Sequence, residues 1–492
     1  MRTSKVAALA ALLVGAALAT GVPIAIRAGF IPTGIAGEWQ WARINAIPAA
    51  GDVALAASAL AGYAGLAALG ARSLARRTST RRECAWAAAL VAGGVAAQWG
   101  MLVGAPEAYG PAKWAFALHY RGPSGYFSVA RGEIGDARAF LADYPAWIKR
   151  QDSLHIGTHP PGLFVASHAA LRLMAARPGL ARAVAGHLPG PIDSAFRLIG
   201  QPGPLPIGER AAIVAMAALT MLACASTSAA LFALGRASMP APAAWSAAAL
   251  WPVVPSAVLF GPAADTGFAL PSTAALALAA WACRAGTAPR AGLALAAGSG
   301  LVLASGMAFS LAFLPVGLAV AWVMISADSM PTGRRAALIL ATGVGFLAPT
   351  LLVWASTTAS PFAIWLANAR NHARFYEIFP RSYAAWVVAN PLETAVALGL
   401  PATVWAVAAL GKPGSIPRPA WATLAVLILL NFSGRNLSEV ARLWLPLMPP
   451  LLLASGSALA RLGGPGALAA TIGLMGLQTL LLESTIQVVY PL

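Results

Sequence analysis

The chain has 492 residues, 59% of them hydrophobic and only 10% charged, with a formal net charge of +17. Soluble domains carry about 25% charged residues, so this much apolar surface cannot be hidden in a water-soluble core and needs lipid as part of its solvent. The charges lie in loops between apolar segments rather than along a basic stripe, which sets nucleic acid aside in favour of lipid phosphates or anionic head groups.

Arg2 and Lys5 precede an apolar run ending AALATG, the pattern of a cleavable signal peptide over residues 1–21. The many later apolar runs favour a retained first helix. Transmembrane helices need about 20 apolar residues, and candidate spans fall at 6–26, 51–70, 84–104, 210–233, 240–260, 265–283, 290–306, 309–326, 336–356, 390–410, 419–432, 441–460 and 465–484. The expected fold is therefore all-α and polytopic, with about thirteen transmembrane helices. The pair within 290–326 could also be one helix broken at Ser305-Gly306. Three cysteines, Cys84, Cys224 and Cys283, lie in or beside apolar runs and imply neither a disulfide framework nor a zinc motif. Abundant alanine and an excess of arginine over lysine suggest a GC-rich bacterial genome.

Orientation follows from arginine in short loops. Arg72, Arg76, Arg77, Arg81 and Arg82, then Arg284 and Arg290, then Arg334 and Arg335 fall on one side, expected to be cytoplasmic together with the N-terminus. Of sixteen acidic residues only Glu83 and Asp328 fall on that side. All six histidines (His119, His155, His159, His168, His187, His372) fall on the other. The groups able to do chemistry thus gather on the external face of what is expected to be the plasma (inner) membrane.

The longest polar stretch, 105–209, holds an amphipathic run at 133–150 and an apolar run at 162–177. If the second crossed the bilayer, every later loop would invert and the arginines of 284–335 would move outside; it is read as a helix lying on the outer surface. The chain divides into a two-span addition at 1–83, a core at 84–330 and C-terminal helices at 331–492, with external loops at 357–389 and 433–441. No strong internal repeat is evident, which weighs against a transporter.

The most specific segment is His155-Ile156-Gly157-Thr158-His159-Pro160-Pro161-Gly162. Its prolines fix the backbone, and Pro161 can open a following helix. Both histidines then stand at a helix N-terminus, where free N–H groups and the dipole favour a phosphate or carboxylate; a rigid loop-to-helix entry is the alternative. HPPG opening an interfacial helix after a long first external loop resembles the GT-C glycosyltransferases, above all their protein-mannosyltransferase and aminoarabinose-transferase branch. Two further spans and then an acid before the next helix, here Gly261-Pro262-Ala263-Ala264-Asp265, fit the same pattern. The resemblance covers roughly 84–330.

The resemblance implies transfer of a sugar from a polyprenyl-phosphate donor to an acceptor glycan, lipid or protein, with a carboxylate of the first external loop as base. By position that is Glu107, in Ala105-Pro106-Glu107. The later Pro123-Ser124-Gly125-Tyr126-Phe127 resembles the family's tyrosine-containing stretch but lacks its acid, so Asp152 and Glu38 stand as alternatives. Glu38, beside two aromatic residues in Gly37-Glu38-Trp39-Gln40-Trp41, also reads as part of an interfacial belt. Asp265 reads either as a helix cap or as a carboxylate that positions an acceptor or binds a divalent cation.

Two later external segments carry cations suited to a donor phosphate. One runs from Asn368 to Trp386 with Arg370, His372, Arg374 and Arg381. The other holds Arg435, Glu439 and Arg442, with Glu439 spaced for helical pairing with both arginines. Arg442 adjoins the apolar run 443–453, where an unpaired charge is costly, and arginine forks match phosphate oxygens. A structural ion pair is the alternative. No P-loop or dinucleotide signature appears. The competing readings are a lipid or polysaccharide transporter or flippase, a lipid-linked glycan ligase or polymerase, and a non-catalytic scaffold.

Overall fold

Charge-free runs of alanine and leucine form helices along nearly the whole chain in the computed structural model, which describes residues 2–76, 79–200, 203–327 and 330–488. Arg77 and Asp328, used in the charge reading, lie outside these residues. The described strands are four two-residue segments in two antiparallel pairs, Gly34–Ile35 with Trp39–Gln40 and Ala42–Arg43 with Ile486–Gln487. The second pair ties the loop after the first helix to the end of the last one.

Among the described residues, seven helices are long and apolar enough to cross a membrane, or eight if a bent pair is counted. That is the make-up of an all-α multi-pass membrane protein. By length and composition the thirteen expected spans are not reached, because several fall on short or broken helices. The run 240–260 becomes Ala241–Leu250, a 3-10 turn at Trp251–Val253 and Pro255–Leu259. Phe313–Ile325 has 13 residues and Arg418–Ser433 has 16. The run 290–326 is two helices, Pro289–Met307 and Phe313–Ile325, not one broken rod.

The expected span 390–410 bends by 105° between Tyr383–Leu398 and Leu400–Ala409. Gly399 takes φ +102° there, open to glycine without steric cost. Gln478 serves the interrupted backbone: its Oε1 accepts from Leu400 N at 2.9 Å and its Nε2 donates to Val396 O at 3.0 Å. An apolar interior tolerates such a break only where freed backbone groups find partners.

The stretch Leu445–Glu483 is helical throughout yet doubles back. Ala402 O accepts from Ser455 Oγ, and Trp405 Nε1 donates to Thr471 Oγ1. Residues 402 and 405 are one turn apart, whereas a straight helix would separate 455 from 471 by about 24 Å. The reversal sits at Gly464, φ +68°.

One apolar core runs from Ala8 to Met475. Two smaller cores lie under the polar stretch 105–209. One gathers Trp114, Phe127, Phe196 and Ile213, the other Tyr126, Phe140, Tyr144, Trp147 and Phe164. The run 162–177 forms Gly162–Ala176, 15 residues or about 22 Å, short of the ~30 Å hydrocarbon thickness. A buried ion pair pins this region to the last helix: Lys113 Nζ donates to Glu483 Oε1 and to Leu259 O, each at 3.3 Å.

Candidate functional site

The HIGTHPPG segment folds as a one-turn helix, His155–Thr158, an extended His159 and then the Gly162–Ala176 helix with Pro161 as N-cap. Its two glycines are fixed by close approach. A Cβ on Gly157 would stand 1.8 Å from Asp152 O, and one on Gly162 would stand 2.5 Å from Ala308 O. One donor of this helix N-terminus is already taken, because Gly162 N donates to Ala308 O at 2.9 Å. The pattern fixes the two histidines.

Side chains from a distant helix complete that job. On Pro361–Ile378, Asn368 Nδ2 donates to Gly157 O at 3.1 Å and to His159 O at 3.0 Å. Asn371 Nδ2, one turn on, donates to Gly157 O at 3.0 Å and Ile148 O at 3.2 Å. Tyr144 Oη also donates to His159 O. Buried carbonyls need such partners.

The segment 434–444 meets the histidines from the other side. Ser438 and Glu439 both have positive φ, +84° and +55°, so the helix begins only at Val440. Two consecutive non-glycine residues in this region are costly and persist where surroundings over-determine them. Here Tyr376 Oη donates to Arg435 O and accepts from Leu437 N, His372 Nε2 donates to Arg435 O at 3.0 Å, Asn390 Nδ2 donates to Asn436 O, and Glu393 Oε1 accepts from Ala441 N at 3.0 Å. The turn breaks the expected helical pairing of Arg435 with Glu439; Arg435 is exposed and engages the protein through its carbonyl.

Out of this turn Arg442 reaches two partners. Its Nη2 donates to Glu439 Oε2 at 2.7 Å and its Nη1 to His155 Nε2 at 3.1 Å. The same Nη1 stands 3.5 Å from His155 Nδ1, so the guanidinium lies against the ring with its charge close to both nitrogens. Consistent with this, burial first, and then the charges of Arg442 and His159, push the ring's proton affinity well below the ordinary imidazole range. Burial lowers His159 too, opposed by the negative field of Asp265. Arg442 Nε is buried and has no hydrogen-bond partner among the described residues.

Asp265 lies in the first turn of Ala264–Ala282, just after a cis Gly261–Pro262 bond. It does not cap that helix: Ala263 is the N-cap and no side-chain cap bond forms. Among the described residues no donor bonds its carboxylate, yet its field acts on His159, Arg442 and Tyr126. Tyr126, whose phenol is held neutral by burial first and by Asp265 second, stacks edge-on to His159 with ring centroids 5.4 Å apart. The site thus unites His155, His159, Asp265, Glu439 and Arg442, with Tyr126 and His372 at its edge.

The other carboxylates named from sequence stand apart. Glu107 is exposed on the turn Glu107–Tyr109 and makes no hydrogen bond or ion pair to these residues. Asp152 is exposed and accepts from Leu154 N at 2.9 Å, an Asx turn that shapes the loop. Glu38 accepts from Ser382 N at 2.9 Å, from Ser382 Oγ and from Trp386 Nε1 at 2.7 Å, which caps the Tyr383–Leu398 helix from outside. Ser382 chiefly holds its carboxyl below the usual range. Arg381 lies over the Phe375 ring at 5.6 Å and adds to that field on Glu38. Among the described residues no three His, Cys, Asp or Glu side chains gather as a metal site.

Sequence reasoning missed Asn368, Asn371, Tyr376, Asn390 and Glu393. The spacing of Asn368 and Asn371, three apart on one helix, was the available signal for the clamp. Comparison with known proteins finds no family model that matches the chain and no curated protein that matches it.

Proposed function

We propose that the chain is an integral membrane glycosyltransferase of the GT-C type, moving a sugar from a polyprenyl-phosphate donor to an acceptor on the non-cytoplasmic face. The observation that carries this reading is the contact of Arg442 with the His155–His159 segment in a place that the field of Asp265 also reaches, three separate segments converging on one polar site. Beside it lies an apolar cleft of about 260 Å³ whose wall includes Ala441, Phe260 and Glu393.

In this mechanism the donor's tail lies in the cleft and its phosphate meets Arg442. Its guanidinium is a fork of donors suited to phosphate oxygen, and its buried Nε has no acceptor among the described residues. Asp265, free of other hydrogen bonds, takes the proton of the acceptor hydroxyl or amine as that atom attacks the anomeric carbon. The bond from that carbon to the phosphate oxygen breaks, and its electron pair leaves with the polyprenyl phosphate. Arg442 stabilises the charge gathering there. A single displacement inverts the anomeric centre.

The same reading takes the chain across the plasma membrane thirteen times, with the N-terminus inside, by counting the short and broken helices as passes. Supporting it, basic side chains gather at turns away from the site. Arg236 pairs with Glu83, Arg334 reaches Thr287 O, and Arg461 reaches Ser415 Oγ and Ala408 O.

The test is transfer from radiolabelled polyprenyl-phosphate sugars by the purified chain in vesicles, compared with His159→Ala, Asp265→Asn and Arg442→Ala. Wild-type transfer lost in all three correctly inserted variants is expected. A wild-type chain that moves label from no such donor overturns the reading.

A further inference from the structure

Residues 28–49 join the first two long helices, and connections of more than about 15 residues in a compact fold usually carry a function. This one is held at three places. Gly34–Ile35 pairs with Trp39–Gln40, and Ala42–Arg43 pairs with Ile486–Gln487 near the other end of the chain. Glu38 ties the loop to Ser382 and Trp386. Between the two strand pairs stands Trp41, whose N donates to Thr33 O at 3.2 Å and whose O accepts from Thr33 Oγ1 at 2.7 Å.

The Trp41 side chain reaches both arms of the polar site. Its Nε1 donates to Glu393 Oε1 at 3.4 Å, and the same oxygen accepts from Ala441 N at 3.0 Å. The next residue is Arg442, whose own N donates to Glu439 O at 3.0 Å, so the Glu393 carboxyl grips the turn that carries the guanidinium. On its other side the Trp41 ring stands edge-on to Phe260, with ring centroids 5.5 Å apart. Phe260 O accepts from Ala263 N at 2.7 Å, and Ala263 O accepts from Thr266 N at 3.1 Å. Those two bonds build the turn that starts the helix bearing Asp265. One indole thus braces the arginine turn and the aspartate turn together.

A tryptophan near a membrane boundary is often only an interfacial anchor. Trp41 differs, because it is half-buried and its N–H is spent on a carboxyl inside the protein. That carboxyl needs the donor. Glu393 lines the cleft of about 260 Å³, and among the described residues that line it Glu393 is the one charged side chain. A carboxyl in such surroundings is costly unless hydrogen-bonded. Without the indole N–H it loses one of its donors and is free to turn away from Ala441.

We infer that Trp41 is a positioning residue for the transfer reaction, holding Arg442 through Glu393 and the Asp265 turn through Phe260. The loop between the first two helices is then part of the framework of the site, and the two-span segment 1–83 is no detachable addition. This inference rests on the transferase reading above, while the hold on Arg442 has a readout that needs no activity.

The experiment compares the full-length chain with Trp41→Phe, Glu393→Leu, Glu393→Gln and the double variant Trp41→Phe with Glu393→Leu. Phenylalanine keeps a ring against Phe260 and loses the N–H donor. Trp39→Phe is the control, because Trp39 Nε1 has no acceptor among the described residues. In transfer from radiolabelled polyprenyl-phosphate sugars, Trp41→Phe should lower kcat about tenfold with its melting temperature unchanged. Glu393→Leu should lower kcat at least as far, and Glu393→Gln, which keeps an acceptor, should recover most of it. The double variant should be no worse than Glu393→Leu, because the indole N–H acts through that carboxyl. Phenylglyoxal modification of Arg442, read by peptide mass, should rise in Trp41→Phe and Glu393→Leu and not in Trp39→Phe. A wild-type kcat in Trp41→Phe, losses that multiply in the double variant, or unchanged modification of Arg442 overturns the inference and leaves the transferase standing. If the wild type moves no label while Arg442 modification still rises, the transferase reading falls and the hold of Trp41 on Arg442 stands.

Discussion

Arg442 Nη1 stands 3.1 Å from Nε2 and 3.5 Å from Nδ1 of His155, so a guanidinium 287 residues away in sequence lies against an imidazole and, after burial, opposes its protonation. Protonation of His155 would set two cations against each other.

Acid stability should report this contact. His155, His159 and His372 are all held below the ordinary value of 6.5, in each case chiefly by burial. An unfolded chain takes up these protons near pH 6.5, while the folded one resists them until lower pH. Stability is therefore flat above that value and falls as pH drops below it. In Arg442→Gln, His155 loses a repelling neighbour and titrates closer to 6.5, so the acid loss becomes shallower. Melting temperatures in detergent between about pH 8 and about pH 5 check this; parallel curves for the two proteins would refute the contact.

Asn368→Ala should strip Gly157 O and His159 O of a donor that each now shares with Asn371 or Tyr144. The expected stability loss is about 1–3 kcal/mol, with a larger proportional loss of transfer, because the clamp fixes the histidine segment against the Pro361–Ile378 helix. Thermal melting and transfer rate measured on one preparation separate the effects. Equal proportional losses would make the clamp merely structural.

Gly162→Ala places a methyl 2.5 Å from Ala308 O, a backbone atom that cannot step aside cheaply. Overpacking of this kind costs about 1–3 kcal/mol, and the shift displaces His159. Gly132→Ala meets nothing within 4 Å and serves as the control. The melting temperature should fall only in the first variant.

Lys113→Met leaves Glu483 buried without its cation, in a site where Lys113 is 4% and Glu483 2% exposed. Loss of one partner of a buried pair costs about 3–5 kcal/mol. Adding Glu483→Gln should restore much of it, since the replacement leaves no charge behind. Melting of both variants and the double variant gives the coupling, and additive losses would show that the pair contributes nothing.

Much of the site was legible as segments. HIGTHPPG stood out because two prolines and two glycines in eight residues leave few backbone choices, and Arg442 stood out because a charge beside an apolar run is costly. The choice among carboxylates was not legible. Glu107, Asp152, Glu38 and Asp265 all sit beside turns or helix ends in the sequence. Only the contacts separate Glu38, which caps a helix 344 residues on, and Asp152, which closes its own turn, from Asp265, whose carboxylate meets no donor among the described residues and whose field acts on His159. The Arg435–Glu439 spacing misled, because i, i+4 pairing presumes a helix and two residues of positive φ interrupt it.

The sequence by itself determined what depends on composition and local pattern: a helical chain that needs lipid, helix ends at proline and glycine, and polar groups sorted by loop. Those properties are sums over neighbours in the chain, so they can be read one residue at a time. Tertiary structure alone decided how many helices are long and apolar enough to cross, where Gly399 and Gly464 redirect them, and which side chains meet. A meeting such as Arg442 with His155 depends on the packing of every helix between them, and no local spacing encodes it.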